Sequence, residues 1–218
     1  MNKTLLIGLF LIFGLYSYGQ VSTNPELSYP EGIYSTKEDF LKKTPNDTKE
    51  LIAKGILWGS KEITDTIPDQ CLFLYKHNGK KLRKTFAVCY KGNLYFQAFS
   101  ILTNREKKDK AQTTNFPNSF CRVLIAGDNF LYTELELANS WKQGLGYGLG
   151  GVAGGAIASA SIKSKGIVWD VKNQEFNIFR SCKDFNNFIT ALYPEGVQEC
   201  KDQQPDLLKV REAIEIIK

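Results

Sequence analysis

Residues 166–179 contain two apolar stretches that alternate with period two on either side of a short polar turn. Such alternation is typical of antiparallel strands, because successive side chains of a strand point to opposite faces. A turn at Lys172-Asn173 would fix the register. The facing pairs are then Trp169 with Phe176, Ile167 with Ile178, and Asp170 with Glu175. Because the last pair opposes like charges, we expect its face of the hairpin to be wet.

Three further turn signals lie upstream of this hairpin. Asn78-Gly79 is a dipeptide typical of tight hairpins, and Gly92-Asn93 and Gly127-Asp128-Asn129 contain residues that tolerate left-handed backbone. They predict a meander of residues 71–76, 84–90 and 94–99, followed by a hairpin of residues 121–126 with 130–137. The predicted registers place Cys71 opposite Phe86, Tyr95 opposite Tyr90, and Phe96 opposite Cys89. Cys89 is then expected to be a buried free thiol.

Helical periodicity follows the last hairpin. Apolar residues spaced i, i+3, i+4 and i+7 after a Ser181 cap predict an amphipathic helix that ends before Pro194, and a second pattern runs to the C-terminus. The apolar positions are Phe185, Phe188, Ile189 and Leu192 in the first helix, and Leu207, Val210, Ile214 and Ile217 in the second. We expect both helices to cover one face of the sheet. Near the N-terminus, a Ser35 and Glu38 capping box predicts a short peripheral helix that carries Phe40.

These patterns together indicate an α+β fold. We expect an antiparallel sheet of about six to eight strands built from hairpins, two C-terminal amphipathic helices, and a glycine-rich helical or loop insertion. Without a leader over residues 1–19, residues 20–218 suffice for one good core and fall short of two comfortable domains. The sequence therefore predicts a single domain.

The first twenty residues are typical of an export signal. Lys3 gives a positive start, an uncharged and mostly apolar run extends to Tyr18, and small residues precede Gln20, where we expect cleavage. The alternative is a retained membrane anchor, but an apolar run of about 15 residues is shorter than the roughly 20 that span a bilayer. The sequence therefore predicts an exported protein of the periplasm or cell envelope, or a secreted one.

Export would place all five cysteines in an oxidising compartment. Their odd number leaves at least one thiol unpaired. Cys182 and Cys200 flank a predicted helix and its return loop, so they are the candidate disulfide. No zinc site is expected, because the sequence has no Cys-x-x-Cys pair and His77 is its single histidine.

The charge of the chain bears on its partners. The formal net charge of +5 falls to +4 when Lys3 is removed, and the basic residues are interspersed with acidic ones. Nucleic-acid partners need a concentrated basic surface. We therefore expect no nucleic-acid partner.

The least ordinary part of the sequence lies between Gly144 and Ile162 and carries no charge. Gly146, Gly150 and Gly154 form a repeated GxxxG, which on a helix lets another backbone approach closely. One interpretation is a glycine-zipper helix or hairpin that contacts the membrane or an envelope protein. Another is a close-packed crossover between two strands. The run also satisfies GxGxxG, but about eight residues separate it from the preceding strand, so we expect no nucleotide cofactor.

The sequence contains no recognisable catalytic constellation. His77 lies in a predicted turn, where a surface role is expected. Glu134 and Glu136 alternate along a predicted strand, so we expect solvated side chains that pair with neighbouring lysines. No P-loop, HExxH or calcium-loop pattern occurs in the sequence. These observations do not exclude an enzyme, but they favour a non-enzymatic protein.

Residues 29–40 read Tyr-Pro-Glu-Gly-Ile-Tyr-Ser-Thr-Lys-Glu-Asp-Phe. With the preceding leader and the mid-chain glycine-rich run, this dozen residues resembles the opening of an uncharacterised family of exported Bacteroidetes proteins. The resemblance implies a Gram-negative envelope location and no known activity, so it supplies no catalytic residue. The function predicted is that of an exported envelope protein acting as a non-enzymatic binding or assembly module. The alternative is a soluble secreted enzyme or small-ligand carrier with a site built from loops.

Overall fold

The computed structural model of the protein describes residues 29–57, 60–109, 111–140, 162–201 and 203–218. The expected leader over residues 1–19 lies outside these ranges. The described strands are β1 (Gly32–Tyr34), β2 (Leu51–Lys54), β3 (Gln70–Tyr75), β4 (Ala87–Tyr90), β5 (Asn93–Gln97), β6 (Gln112–Thr113), β7 (Phe120–Ala126), β8 (Phe130–Asn139), β9 (Lys163–Asp170) and β10 (Glu175–Ile178). The described α-helices are α1 (Lys37–Leu41), α2 (Ala98–Thr103), α3 (Cys182–Ile189) and α4 (Leu207–Ile217). Short 3₁₀ helices lie at Lys107–Asp109 and Pro194–Gly196.

The strands form one sheet in the order β1-β4-β5-β7-β8-β9-β10. On branches from this path, β3 pairs with β7 and β2, and the short β6 pairs with β8. Every paired strand is antiparallel to its neighbour. The predicted α+β class, the antiparallel sheet and the two C-terminal helices are therefore confirmed.

The sheet curls, and three apolar clusters fill the spaces between its layers. The Phe96 and Trp169 rings, on the non-adjacent strands β5 and β9, have centroids 6.3 Å apart. The central cluster between these strands includes Tyr34, Phe40, Phe86, Phe96, Trp169 and Phe176. The helix cluster, where α3 and α4 cover the opposite face of β8 and β9, includes Tyr132, Val168, Phe179, Phe185, Ile189, Val210 and Ile214. A small cluster beneath β2 and β3 includes Ile33, Ala53, Cys71, Phe73, Leu82, Val88, Tyr95 and Phe120.

The register of the β9–β10 hairpin agrees with its prediction. Trp169 lies opposite Phe176, and Ile167 lies opposite Ile178. The expected wet face is wrong, however, because Asp170 is only 8% exposed although it lies opposite Glu175. Its carboxylate accepts hydrogen bonds from the backbone N–H and the side-chain Nδ2 of Asn173. The charge is thus stabilised within the turn rather than by solvent.

The β4–β5 hairpin forms, but its register differs from the predicted one by two residues. Tyr90 lies opposite Asn93, and Cys89 lies opposite Leu94. The turn residues are Lys91 and Gly92, with φ angles of 50° and 70°. Two consecutive left-handed residues are what a tight turn matched to the twist of a hairpin requires. Because a shift of two keeps each side chain on its face, the predicted burial of Cys89 survives the error.

The predicted pairing of β3 with the strand after Asn78-Gly79 is wrong. The chain does reverse there, and Leu74 bridges to Lys81, but β4 pairs with β1 and β5 instead of β3. Cys71 consequently lies opposite Phe120 of β7, not Phe86. The local turn signal therefore specified only the reversal itself. Packing of the small cluster determined which strands β3 pairs with.

Helix α1 begins one residue later than the predicted capping box. Thr36 accepts the backbone N–H of Asp39, and the Asp39 carboxylate accepts the N–H of Thr36. Phe40 is 1% exposed, and its ring contacts those of Tyr34, Phe86, Phe96 and Trp169 among others. The helix is therefore not peripheral, because its single buried ring fills the central cluster.

Candidate functional site

A disulfide joins Cys182 to Cys200, the two cysteines paired in the sequence analysis. Cys182 opens α3, where Ser181 caps the helix as expected, and Cys200 lies on the loop that leads to α4. The same loop is held by Asn186, whose side chain donates to the carbonyl of Gln198 and accepts its N–H. The bridge and these hydrogen bonds fix the loop against α3.

The three remaining cysteines, Cys71, Cys89 and Cys121, are buried free thiols. Burial raises the pKa of each thiol to about 12, and for Cys89 the nearby carboxylate of Glu31 is the second cause. Only the thiolate is an effective nucleophile. Cys71 and Cys121 belong to clusters on opposite faces of the sheet. These thiols are therefore poor candidates for nucleophilic catalysis.

The glycine-rich segment falls almost entirely outside the described ranges. Gly146, Gly150 and Gly154 are among residues 141–161, so neither the membrane-contact interpretation nor the strand-crossover interpretation can be compared with the structure. Within the described residues, no helix is long and apolar enough to cross a bilayer.

A concentrated group of cations lies on the reversal after β3, a segment that we call the basic hairpin (residues 76–84). Its sequence, Lys-His-Asn-Gly-Lys-Lys-Leu-Arg-Lys, contains five lysines and arginines and no acidic residue. The cationic side chains are Lys76, Lys80, Lys81, Arg83 and Lys84, and all are exposed. In the described part of the chain, Lys76 pairs with Glu50 at 2.9 Å, and the other four form no salt bridge. The expectation that basic residues are interspersed with acidic ones is therefore wrong for this one tract.

Backbone contacts hold the basic hairpin in a defined shape. Tyr75 accepts the N–H of Gly79 and donates its own N–H to Lys80, while Leu82 donates to Phe73. Asn78 accepts the N–H of Lys80 through its side chain. The Leu82 side chain, 3% exposed, anchors the segment in the small cluster.

The far end of the basic hairpin is anchored by polar contacts. The N–H of Thr85 donates to the side-chain oxygen of the fully buried Gln97 at 2.8 Å. The hydroxyl of Ser100 donates to the carbonyl of Thr85 at 2.7 Å. Because both ends of the segment are tied to the core, its cations are displayed on an ordered surface.

The outer face of β2 and β3 continues the basic hairpin. Phe73 belongs to the small cluster, so the alternation of side chains directs Leu72, Leu74 and Lys76 to the opposite, outer face. The register adds their neighbours on that face: Lys54 lies opposite Leu72, Ile52 opposite Leu74, and Lys81 bridges to Leu74 from the other side. Ile52 and Leu72 are half-buried. The outer face therefore combines aliphatic side chains with lysines along its edges, and the exposed Glu62 bridges to Lys54 there.

A cleft of about 590 Å³ lies beside β2 and the adjoining ends of β1 and β4, and Lys76 of the basic hairpin also lines it. Its walls include Glu31, Leu51, Glu62, Tyr90 and Lys91. Glu31 is engaged in structure, since its carboxylate accepts the N–H groups of Lys91 and Gly92 at 3.2 and 2.5 Å. The cleft thus combines aliphatic and aromatic side chains with charges of both signs, a lining that could hold a small ligand.

The remaining residues considered in the sequence analysis have structural roles. Glu134 accepts two hydrogen bonds from the guanidinium of Arg211 on α4 and one from the hydroxyl of Tyr132. It therefore fastens α4 to the sheet rather than pairing with a lysine. His77 is exposed in the turn beside Asn78. No group of three or more histidines, cysteines or carboxylates suited to a metal ion occurs among the described residues.

Comparison with models of protein families found no match, and comparisons with curated proteins and with solved structures found none either.

Proposed function

We propose that the protein is an exported, non-enzymatic binding module of the cell envelope and that the basic hairpin is its binding surface. The observation that carries the proposal is the display of Lys80, Lys81, Arg83 and Lys84 without a salt bridge in the described part of the chain. Cations gathered on one ordered surface produce a field that attracts anionic partners. The Gram-negative envelope is rich in such partners, since its phosphates and acidic sugars are negatively charged.

Two further observations favour this proposal. The Cys182–Cys200 disulfide suits a protein that matures in an oxidising compartment. The buried thiols have raised pKa values, and the described titratable side chains form ion pairs and caps in place of an arrangement of nucleophile and base.

Export is tested by expressing the chain with its own N-terminus and fractionating the cells. We expect a product that begins at Gln20, retains one disulfide, and lies in the envelope fraction until it is released by salt. An unprocessed chain in the cytoplasm would contradict export. Release by detergent but not by salt would instead favour membrane contact through the segment between Gly144 and Ile162.

The second candidate function is a soluble carrier of a small ligand, and the cleft beside β2 is the observation that favours it. In that case a ligand should copurify with the mature protein, and the substitution of Tyr90 by Ala should release it. Mass spectrometry of the denatured protein distinguishes the two functions, with Phe99→Ala as the control because that ring is 39% exposed and lies outside the cleft.

A further inference from the structure

We propose that the basic hairpin, together with the outer face of β2 and β3, docks on an anionic lipid bilayer. This inference rests on the proposed function for its cellular setting and adds the chemical class of the partner, a surface of phosphate headgroups.

Charge complementarity is the first argument. Four cations of the basic hairpin have no salt bridge among the described residues, whereas Lys76 pairs with the exposed Glu50 and also interacts electrostatically with Glu62. Each Lys or Arg close to an anionic membrane contributes roughly a fivefold gain in binding. A cluster of this size is therefore sufficient for reversible attachment without an inserted helix.

The arrangement of apolar side chains is the second argument. Ile52 and Leu72 lie on the outer face, and both are half-buried. Lys54 and Lys81 lie beside them in the register of the sheet. Lysine stems extend along apolar surface while their ammonium groups reach phosphates, so this mixture fits the boundary between headgroups and acyl chains.

The spacing of the cations is the third argument. The cationic side chains of the basic hairpin come from one tight turn beside β3, so they are exposed close together in the fold. A planar anionic surface contacts several such side chains at once, whereas a single soluble anion would meet few of them.

The experiment uses the mature chain purified after export, so that the apolar leader cannot itself bind lipid. Its binding is measured by co-sedimentation with vesicles of phosphatidylcholine alone and of phosphatidylcholine mixed equally with phosphatidylglycerol. We expect binding only to the anionic vesicles, and we expect salt to weaken it because salt screens exposed charges.

The test variant is Lys80→Gln/Lys81→Gln/Arg83→Gln, for which we expect roughly 100-fold weaker binding. The matched control, Lys172→Gln/Lys183→Gln/Lys209→Gln, removes the same charge from exposed positions elsewhere and should bind like the parent. Circular dichroism should show that both variants are folded. If the triple variant is not folded, single Lys80→Gln and Arg83→Gln variants, each expected to bind roughly fivefold more weakly, take its place.

Three outcomes would overturn the inference. They are equal losses in the test and control variants, binding that is insensitive to salt and to lipid charge, and tighter binding to soluble polyphosphate than to vesicles at the same phosphate concentration. These outcomes concern lipid docking only, since a mature chain located in the envelope would still support the proposed function.

Discussion

Nε of Arg180 lies 3.0 Å from Oδ1 of Asp109, whose side chain is fully buried. The other carboxylate oxygen of Asp109 accepts the backbone N–H of Ile178 at 3.0 Å. Arg180 also donates two hydrogen bonds to Asp184 at the start of α3. These contacts join the Lys107–Asp109 turn, the end of β10 and α3. Despite them, burial raises the pKa of the Asp109 carboxyl above its ordinary value.

The free energy of unfolding of the Asp109→Asn variant should increase relative to that of the parent protein as the pH rises. Because the pKa of Asp109 is raised in the folded state, that state holds the proton more tightly than the unfolded chain. The contribution of Asp109 to the free energy of unfolding is therefore fully present below the ordinary pKa of 3.8 and is lost as the pH rises through the raised value. Asn keeps an acceptor for Ile178 and cannot ionise.

Urea unfolding at a series of pH values, from below 3.8 to neutral, measures this effect. The pKa of Asp184 is lowered, so its contribution has the opposite sign, but it is present in both proteins and largely cancels in the difference. If the free energy of unfolding of the variant minus that of the parent is constant or declines as the pH rises, the pKa of Asp109 is not raised.

Phe40→Ala should destabilise the fold by about 3–5 kcal/mol, the usual cost of removing a buried phenyl ring. The ring is 1% exposed and fills the centre of the aromatic cluster between β5 and β9. The matched control is Leu41→Ala on the same helix, where the parent side chain is 37% exposed and the expected loss is about 0.5 kcal/mol. Equal midpoints of urea unfolding for the two variants would show that α1 is peripheral.

Reduction of the Cys182–Cys200 disulfide should lower the free energy of unfolding by about 3 kcal/mol, as the entropy of closing a loop of this length implies. The two cysteines are 18 residues apart in sequence. Denaturant unfolding with and without reductant measures the loss. The double variant Cys182→Ala/Cys200→Ala serves as the control, and its stability should not respond to reductant. An undiminished response in that variant would assign the effect to another cysteine.

The hairpins that could be predicted from the sequence are those whose strands contact each other directly across a turn. The register of Trp169 with Phe176 was predictable because the period-two pattern and the short turn agree. The position of β3 was not predictable in the same way, since Asn78-Gly79 specifies a reversal but not the strand that follows. Strand β3 instead pairs with β2 and β7, contacts between residues far apart in sequence.

The candidate site was harder to predict than the fold, for a physical reason. The residue types of the basic hairpin predict a turn and nothing more. The net charge of the whole chain does not reveal its local excess of cations. A sliding count of charge would have found residues 76–84. Their exposure could not be inferred, because it depends on Leu82 entering the small cluster while Lys81 points outward.

Native protein should react very slowly with iodoacetamide at mildly alkaline pH. Burial raises the pKa of the Cys71, Cys89 and Cys121 thiols from 9.0 to about 12, which lowers the thiolate fraction about 1,000-fold. Peptide mass spectrometry after a timed pulse should find these three sites unlabelled in the native protein and labelled in urea. Glu31→Gln keeps one of the two acceptors for the turn and removes a charge that raises the pKa of Cys89, so it should accelerate labelling there alone. Rapid labelling of Cys89 in the parent protein would show that the thiol is accessible and ionised, and it would reopen the cleft as a candidate catalytic site.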